Sequence, residues 1–155
     1  MPTFEPQDPN FEARIRASFA RQKIMKTIGA RLTKVAPGEV EIELPFRADL
    51  TQQHGFLHAG IVTAIVDTAC GYAAMTLMPG DATVLTVEYK LNLLAPGEGD
   101  FFVAEGRVAK PGRTLCIVQG EVYARSGERR TLCALMQQTL IVLHGRPDDD
   151  SRRTK

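Results

Sequence analysis

The segment Ala59-Gly-Ile-Val-Thr-Ala-Ile-Val-Asp-Thr-Ala-Cys-Gly-Tyr-Ala-Ala-Met-Thr-Leu-Met78 decides the fold. Its 20 residues are apolar on every side except for Asp67 and three threonines, and Pro79-Gly80 ends the run. A segment of this length is long enough to span a bilayer. In that setting Asp67 would lie near the membrane centre, at a cost of about 2.5–3.5 kcal/mol. Because many of the residues are Ala or Gly, which let a sheet approach closely, we predict instead a helix buried inside a globular domain.

The segments on both sides of this helix show the alternation that is typical of strands. Val40, Ile42 and Leu44 alternate with glutamates, as in a half-buried strand. A shorter strand precedes them, and four more follow Gly80, separated by Pro-Gly and Ser-Gly turns. The predicted strands cover residues 30–35, 40–44, 85–93, 101–110, 115–125 and 131–143. Because short turns impose antiparallel pairing, the pattern predicts an α+β fold with an antiparallel sheet wrapped around one long central helix.

Residues 1–27 form a separate N-terminal segment. A helix is predicted over roughly 9–26, where Phe11, Ile15 and Phe19 recur every four positions. Its basic face could lie on a membrane. A stripe this short more often docks on the protein's own sheet, and we favour that interpretation.

The remaining chain is predicted to form one domain and a tail. A chain of 155 residues is about one domain long, and it shows no internal repeat. The domain is placed at residues 28–144. Residues 145–155 are rich in Pro, Asp and Arg, so we predict a flexible tail there.

Composition excludes several classes of protein. The net charge is +1 and tryptophan is absent, which argues against a nucleic-acid partner and against an anionic membrane surface. The cysteines Cys70, Cys116 and Cys133 are odd in number, scattered and set in apolar runs. We interpret them as reduced core thiols, and we expect a cytoplasmic protein.

Asp67 is the first candidate catalytic residue. A carboxylate within an apolar helix is costly unless it is paired or hydrogen-bonded. Carboxylates in such settings gather at active sites. The alternative is a structural aspartate bonded to Thr63 or Tyr72, and we favour the catalytic interpretation.

The start of the central helix is the second candidate. Its first backbone N–H groups have no partner within the helix, and the helix dipole places partial positive charge there. A carbonyl oxygen that becomes an oxyanion would be stabilised at this point. Ala59 and Gly60 leave the approach unobstructed. His58, taken alone, is better explained as a helix-capping or surface histidine.

The spacing of the two candidates predicts an oligomer. Asp67 lies nine residues after His58, which is about 13 Å along a helix axis. A general base must come within about 3 Å of its target, or act through one water. If both groups are catalytic, the helix start of one subunit must therefore meet Asp67 of another, in a two-fold dimer with two composite sites.

Other catalytic constellations are poorly supported. His54 and His58 have a spacing that can hold a metal on a helix, but Gly55 and the surrounding loop spoil that geometry, and no further ligand completes a set. A Ser/His/Asp triad is disfavoured because every serine is in an exposed or terminal setting; the serines are Ser18, Ser126 and Ser151. We expect no metal and no cofactor.

Two cations flank the turn at residues 111–112. Phosphates of a carrier could bind Lys110 and Arg113. A solvated turn is the commoner explanation of such a pair.

The segment Gln52-Gln-His-Gly-Phe-Leu-His58-Ala-Gly60-Ile-Val-Thr-Ala-Ile-Val-Asp67 resembles the signature of PaaI-like hotdog-fold acyl-CoA thioesterases. That signature is Asn or Gln, then His-Gly-Gly with its His six positions later, then Asp nine residues after the His. Residues 86–96 resemble the strand that follows in this family, and the likeness covers about residues 28–143. The middle Gly of His-Gly-Gly is Ala59 here, and Gln52 replaces the commoner Asn.

The resemblance implies roles for individual residues. Asp67 would be the catalytic carboxylate, as base or as nucleophile, with a helpful hydroxyl from Thr86. The backbone N–H of Ala59 would donate to the oxyanion, and Gln52 would orient the thioester or the attacking water. Asp67 and Thr86 would come from the subunit opposite Gln52 and Ala59. His58, Gly60, Lys110 and Arg113 are the expected substrate-binding residues.

The predicted function is hydrolysis of a medium-chain, long-chain or aromatic acyl-CoA to the free acid and CoA, by a homodimer or homotetramer. Within enzymes, the alternative is a hotdog hydratase or dehydratase that acts on 3-hydroxyacyl thioesters. Outside enzymes, the alternative is a non-catalytic acyl-CoA-binding protein, since a fold alone does not settle function.

Overall fold

The computed structural model describes residues 3–146 and 148–149. Part of the predicted tail, residues 147 and 150–155, lies outside the described residues. Within them, the prediction of an antiparallel sheet around one long helix is confirmed. The elements are α1 (Phe11–Arg21), α2 (Lys23–Ile28), β1 (Arg31–Ala36), β2 (Glu39–Pro45), a short 3₁₀ helix (Ala48–Leu50), α3 (Ala59–Met75), β3 (Thr83–Leu93), β4 (Phe101–Lys110), β5 (Leu115–Ser126) and β6 (Arg129–Leu143).

The strands form one antiparallel sheet in the order β1-β2-β4-β5-β6-β3. The hairpins β4–β5 and β5–β6 follow the expected pairing of neighbours. Strand β3 does not, because it pairs with β6 rather than with β4. The connection at residues 94–100 carries the chain across the end of the sheet, where Leu94 N–H bonds to Cys133 O at 2.9 Å and Asp100 N–H to Arg125 O at 2.8 Å. The turn before β4 is therefore a crossover and not a hairpin.

Helix α3 packs closely on one face of this sheet. Gly106 of β4 and Gly120 of β5 stand directly opposite each other beneath it. A Cβ atom added at Gly106 would lie 2.6 Å from the backbone of Ala69, and one at Gly120 would lie 2.4 Å from Val66 Cγ2. Glycines in strand interiors commonly mark such a close approach. The small residues of the helix and the two glycines of the sheet thus determine how deeply α3 is buried.

The N-terminal segment forms two helices instead of the single predicted helix over 9–26. The chain is extended at Gln22, with ψ of 102°, which ends α1 and lets the Gln22 side chain donate to Tyr72 Oη at 3.2 Å. Ile15 is fully buried, and the Phe19 ring packs edge-on against Tyr72 with centroids 6.1 Å apart. The apolar stripe therefore docks on the protein's own core.

Arg14 of α1 closes the far end of the central helix. Its guanidinium donates at 2.9–3.2 Å to four carbonyl groups at the helix end and in the turn that follows it, those of Met75, Met78, Pro79 and Ala82. Among the described residues, no helix is long and apolar enough to cross a membrane.

Strand β3 lies at an edge of the sheet and contains a bulge. The pairing with β6 shifts register between Thr86 and Glu88, which leaves Val87 as the extra residue. The bulge breaks the predicted alternation, so that Thr86 and Leu91 both face α3 while Leu85 faces the opposite side. In the single chain, Leu85 is 53% exposed.

All three cysteines are free and buried, as expected for core thiols. Burial raises the pKa of the Cys116 thiol to about 11, and it raises the pKa values of Cys70 and Cys133 as well. These groups stay protonated near neutral pH and pack as small apolar side chains.

Candidate active site

Asp67 lies midway along α3 and faces strands β3 and β6. Thr86 Oγ1 donates to Asp67 Oδ1 at 2.8 Å, and Gln138 Nε2 donates to the same oxygen at 2.6 Å. The Gln138 amide also donates to Thr86 Oγ1 at 2.6 Å. Asp67 is half-buried, whereas Gln138 is fully buried. The three side chains form one hydrogen-bonded cluster, which we call the carboxylate cluster.

The alternative partners considered for Asp67 bond elsewhere. Thr63 Oγ1 donates to the Ala59 carbonyl at 2.8 Å, within the helix. Tyr72 Oη lies 3.0 Å from Ser18 Oγ. Asp67 is therefore hydrogen-bonded to residues of two strands, and neither predicted structural contact forms.

Gln138 is the member of the cluster that the sequence analysis missed. Every second residue of β6 from Ala134 to Val142 is buried against the helix, and Gln138 is the one polar side chain in that series. Following every second residue along the predicted last strand would have identified Gln138 as a polar side chain among apolar ones. Its contact with Asp67 spans 71 positions of sequence, so local pattern could not have paired the two.

At the start of α3, His58 acts as the helix cap. Its Nδ1 accepts a hydrogen bond from Gly60 N–H at 2.8 Å, which leaves the proton of the neutral ring on Nε2. A Cβ at Gly60 would lie only 3.0 Å from that Nδ1, so a glycine at this position leaves room for the His58 ring. No described acceptor engages the Ala59 N–H. This donor, at the positive end of the helix dipole, is available to a negative oxygen.

Gln52 lies in the loop that leads into this helix start. Its side-chain Oε1 accepts a hydrogen bond from the His54 backbone N–H. The Gln52 backbone N–H donates to the Phe56 carbonyl at 2.9 Å. The turn that results places Gln52 and Ala59 in the lining of one cavity of about 410 Å³, which also includes Leu93.

Asp67 and Thr86 line a different cavity, of about 200 Å³. The two linings share no residue. Ala59 and Asp67 are eight positions apart, or about 12 Å along the helix axis. The single chain thus brings Asp67 together with Thr86, and Gln52 together with Ala59, but it keeps these two pairs apart.

The Asp67 cavity continues along the helix as a groove. One turn beyond Asp67, a Cβ added at Gly71 would meet no atom within 4 Å, so the groove is open there. Tyr72 closes its far side, with Oη bonded to Ser18 and Gln22. Burial raises the pKa of the Tyr72 hydroxyl, which therefore remains a neutral hydrogen-bonding group. The groove ends at the polar atoms around the Tyr72 hydroxyl.

Lys110 and Arg113 are exposed and line neither the cavity of Asp67 nor the cavity of Ala59. Their turn lies at the end of the sheet where β3 begins, because Val142 pairs with Val84 and donates to the Thr114 carbonyl at 2.8 Å. Their role toward phosphates stays a prediction.

Known protein sequences are similar to this chain. A family model described as the thioesterase superfamily matches residues 54–131, which include Asp67 and Thr86. A protein of Saccharolobus solfataricus that carries the name of an esterase is 30% identical over 106 residues, covering 68% of this chain and 75% of its own length.

Solved structures share the fold. A thioesterase family protein from Silicibacter pomeroyi is 49% identical with a TM-score of 0.85, and the match covers 87% of this chain and 99% of that one. The PaaI protein of E. coli, from the phenylacetic acid degradation operon, is 18% identical with a TM-score of 0.80, over 88% and 96% of the two chains. At that identity the likeness extends to the fold alone. The chain therefore belongs to the thioesterase superfamily, as a hotdog-fold enzyme that hydrolyses thioesters.

Proposed function

We propose that this enzyme hydrolyses a medium-chain, long-chain or aromatic acyl-CoA to the free acid and CoA, at sites formed between two copies of the chain. The observation that carries the proposal is the separation of Ala59 and Asp67 into two cavities. A base acts within about 3 Å of its target or through one water, and the two groups lie about 12 Å apart along one helix. A second copy supplies the missing half.

The exposed edge strand supports this assembly. Leu85, Val87 and Leu93 of β3 are 53%, 54% and 56% exposed in the single chain. A long apolar edge strand tends to pair with another chain. Antiparallel pairing of two β3 strands about a two-fold axis at Lys90, with Val87 left out as the bulged residue, would set Thr86 opposite the partner's Leu93. Because Leu93 lines the Ala59 cavity, this pairing would join the two halves in a homodimer, or in a homotetramer of two such dimers.

The chemistry follows from the two halves. The thioester carbonyl accepts from the Ala59 N–H, and the positive end of α3 stabilises the negative oxygen that develops. The partner's Asp67 either takes a proton from water, which attacks the acyl carbon, or attacks that carbon directly and forms an anhydride that water then hydrolyses. In both routes the C–S bond breaks and CoA leaves as a thiolate.

The remaining candidates have positioning and binding roles in this proposal. Gln52 orients the thioester or the water, while His58 and Gly60 hold the shape of the helix start. Lys110 and Arg113 of the subunit that supplies Asp67 lie toward the same end of β3 as Thr86, and we assign them to binding the phosphates of CoA.

Subunit mixing tests the composite site. Asp67→Asn removes the charge of the carboxylate. Ala59→Pro removes the N–H with little strain, since proline is tolerated at the first position of a helix and His58 has a ψ of 136°. Each variant alone should be nearly inactive. After the two are unfolded and refolded together, half of the dimers are mixed and each has one intact site, so about a quarter of the wild-type rate should return. No recovery would mean that each site lies within one chain.

A thiol-release screen tests the substrate class separately. We expect release of CoA from saturated medium-chain, long-chain or aromatic acyl-CoAs. A hydratase would release no thiol from a saturated acyl-CoA, and a binding protein would hold it without turnover. Either result would overturn the acyl-CoA assignment while leaving the assembly to be judged by subunit mixing.

The groove beside Gly71 allows a test of where the acyl group binds. Gly71→Leu places a side chain in open space and improves helix propensity, since glycine is among the least favourable residues in a helix interior. If the acyl group occupies this groove, kcat/KM for aromatic and long-chain substrates should fall at least 10-fold, since blocking a pocket removes contacts and orientation. The rate with acetyl-CoA serves as the internal control. An equal fall in kcat/KM for all chain lengths would mean that the acyl group does not bind in this groove.

A further inference from the structure

We propose that Gln138 is a positioning residue, which holds one oxygen of Asp67 so that the other is presented to the reacting centre. This inference rests on the proposed catalytic role of Asp67. Gln138 is fully buried on β6, so it acts through Asp67 and does not touch the substrate.

Both hydrogens of the Gln138 amide are directed into the carboxylate cluster. One is donated to Asp67 Oδ1 and the other to Thr86 Oγ1, each at 2.6 Å. The Thr86 hydroxyl in turn donates its hydrogen to Asp67 Oδ1 at 2.8 Å. The ring of three bonds leaves the orientation of Asp67 little freedom.

The amide could not serve the cluster in the opposite orientation. Turning it over would place its carbonyl oxygen against the Asp67 carboxylate, where an acceptor would face an acceptor. In the observed orientation Gln138 Oε1 is buried and receives no hydrogen bond from any described residue. A buried acceptor without a partner costs about 1–3 kcal/mol. The fold tolerates this cost in order to direct the amide hydrogens at Asp67, as is common for strained groups at functional sites.

The two oxygens of Asp67 are therefore not equivalent. Oδ1 receives both donors, and no described residue donates to Oδ2. An oxygen without a competing donor keeps its lone pairs for water or for the acyl carbon. Gln138 and Thr86 thus select Oδ2 as the reactive atom and set its direction.

Gln138→Met tests this role, because it keeps the length of the side chain and removes the amide. We expect kcat with the best acyl-CoA to fall about 10- to 100-fold, the scale of misorientation at a reacting centre. KM should change less than about twofold, because the substrate does not reach this residue. The melting temperature should stay the same or rise, since the unpaired Oε1 is removed. The matched control is Gln137→Met on the exposed face of the same strand, which should leave all three quantities unchanged.

Gln138→Asn is the second variant, since it retains a buried amide but falls one methylene short of Asp67. It should lose kcat to a similar extent. A folded variant with kcat within about twofold of wild type would overturn the inference. So would failure of both variants to fold, because Gln138 would then serve the fold itself. Absence of thiol release in the wild-type enzyme is a different result, and it would count against the proposed function instead.

Discussion

Two polar clusters lie on opposite faces of the same sheet, and they hold their carboxylates in different ways. On the outer face, Glu105 is only 7% exposed and receives Arg107 at 2.6 Å and Arg130 at 2.7 Å. On the face toward α3, Asp67 receives Thr86 and Gln138, and both of these partners are neutral.

The cluster around Glu105 on the outer face, which we call the outer cluster, depends on its arginines for stability. Glu41, Glu105 and Glu121 stand opposite one another across β2, β4 and β5, and like charges in such positions destabilise a sheet. Arg107 and Arg130 offset much of that repulsion, and the result is a charge-paired, structural network. The carboxylate cluster has hydrogen bonds that orient Asp67 without cancelling its charge. This difference between neutral and charged partners matches the proposed roles, a reactive carboxylate at Asp67 and a structural one at Glu105.

Asp67→Asn tests this comparison most directly, and it should have the largest effect on kcat. The amide keeps Oδ1 as an acceptor for both donors but removes the charge and the base. We expect kcat to fall by at least 10²–10⁴, as is typical for loss of a general base, with no loss of melting temperature. Asp81→Asn, an exposed aspartate before β3, is the control. Wild-type rates in the Asp67 variant would show that the orienting contacts serve only the fold.

Arg107→Met should show the opposite behaviour. It leaves Glu105 with one cation in place of two, and it also removes contacts to Glu39 and Glu121. Because the site is partly exposed, we expect the free energy of unfolding in urea to drop by about 1–2 kcal/mol, with kcat unchanged. The exposed pair formed by Arg31 offers a control, and its removal should cost about 0.5 kcal/mol or less. A fall in kcat without a fall in stability would contradict the structural role assigned to the outer cluster.

The smallest effect is expected at the rim of the outer cluster, where Lys34 pairs with Glu39 at 2.8 Å. The hydrogen bond from Lys34 holds the pKa of Glu39 below its ordinary value of 4.5. A carboxylate with a lowered pKa contributes stability above its unfolded pKa, and that contribution is lost as the pH falls through the lowered value. Lys34→Met should therefore cost about 0.5 kcal/mol at pH 7, and the difference from wild type should shrink below pH 4.5. Urea titrations across that range measure it, and a constant difference would contradict the assignment to Glu39.

Much of the candidate site could be predicted because its signals are local. Asp67 in an apolar helix, and the His58-Ala59-Gly60 start of that helix, are visible as a run of residue types. The rise of an α-helix then determines their separation, which requires no knowledge of the partner strands. Gln138 could not be joined to Asp67 in this way, because a hydrogen bond across 71 positions depends on which strands lie side by side.

The sequence by itself determined most of the periodic elements and the burial of the central helix, because alternation, small residues and turn residues act over a few positions. The tertiary structure decided that β3 pairs with β6, that the bulge at Val87 turns Thr86 toward the helix, and that α1 ends at Gln22. These outcomes depend on how distant apolar faces fit against one another. Packing between segments far apart in the chain determines them, and no local sequence pattern predicts them.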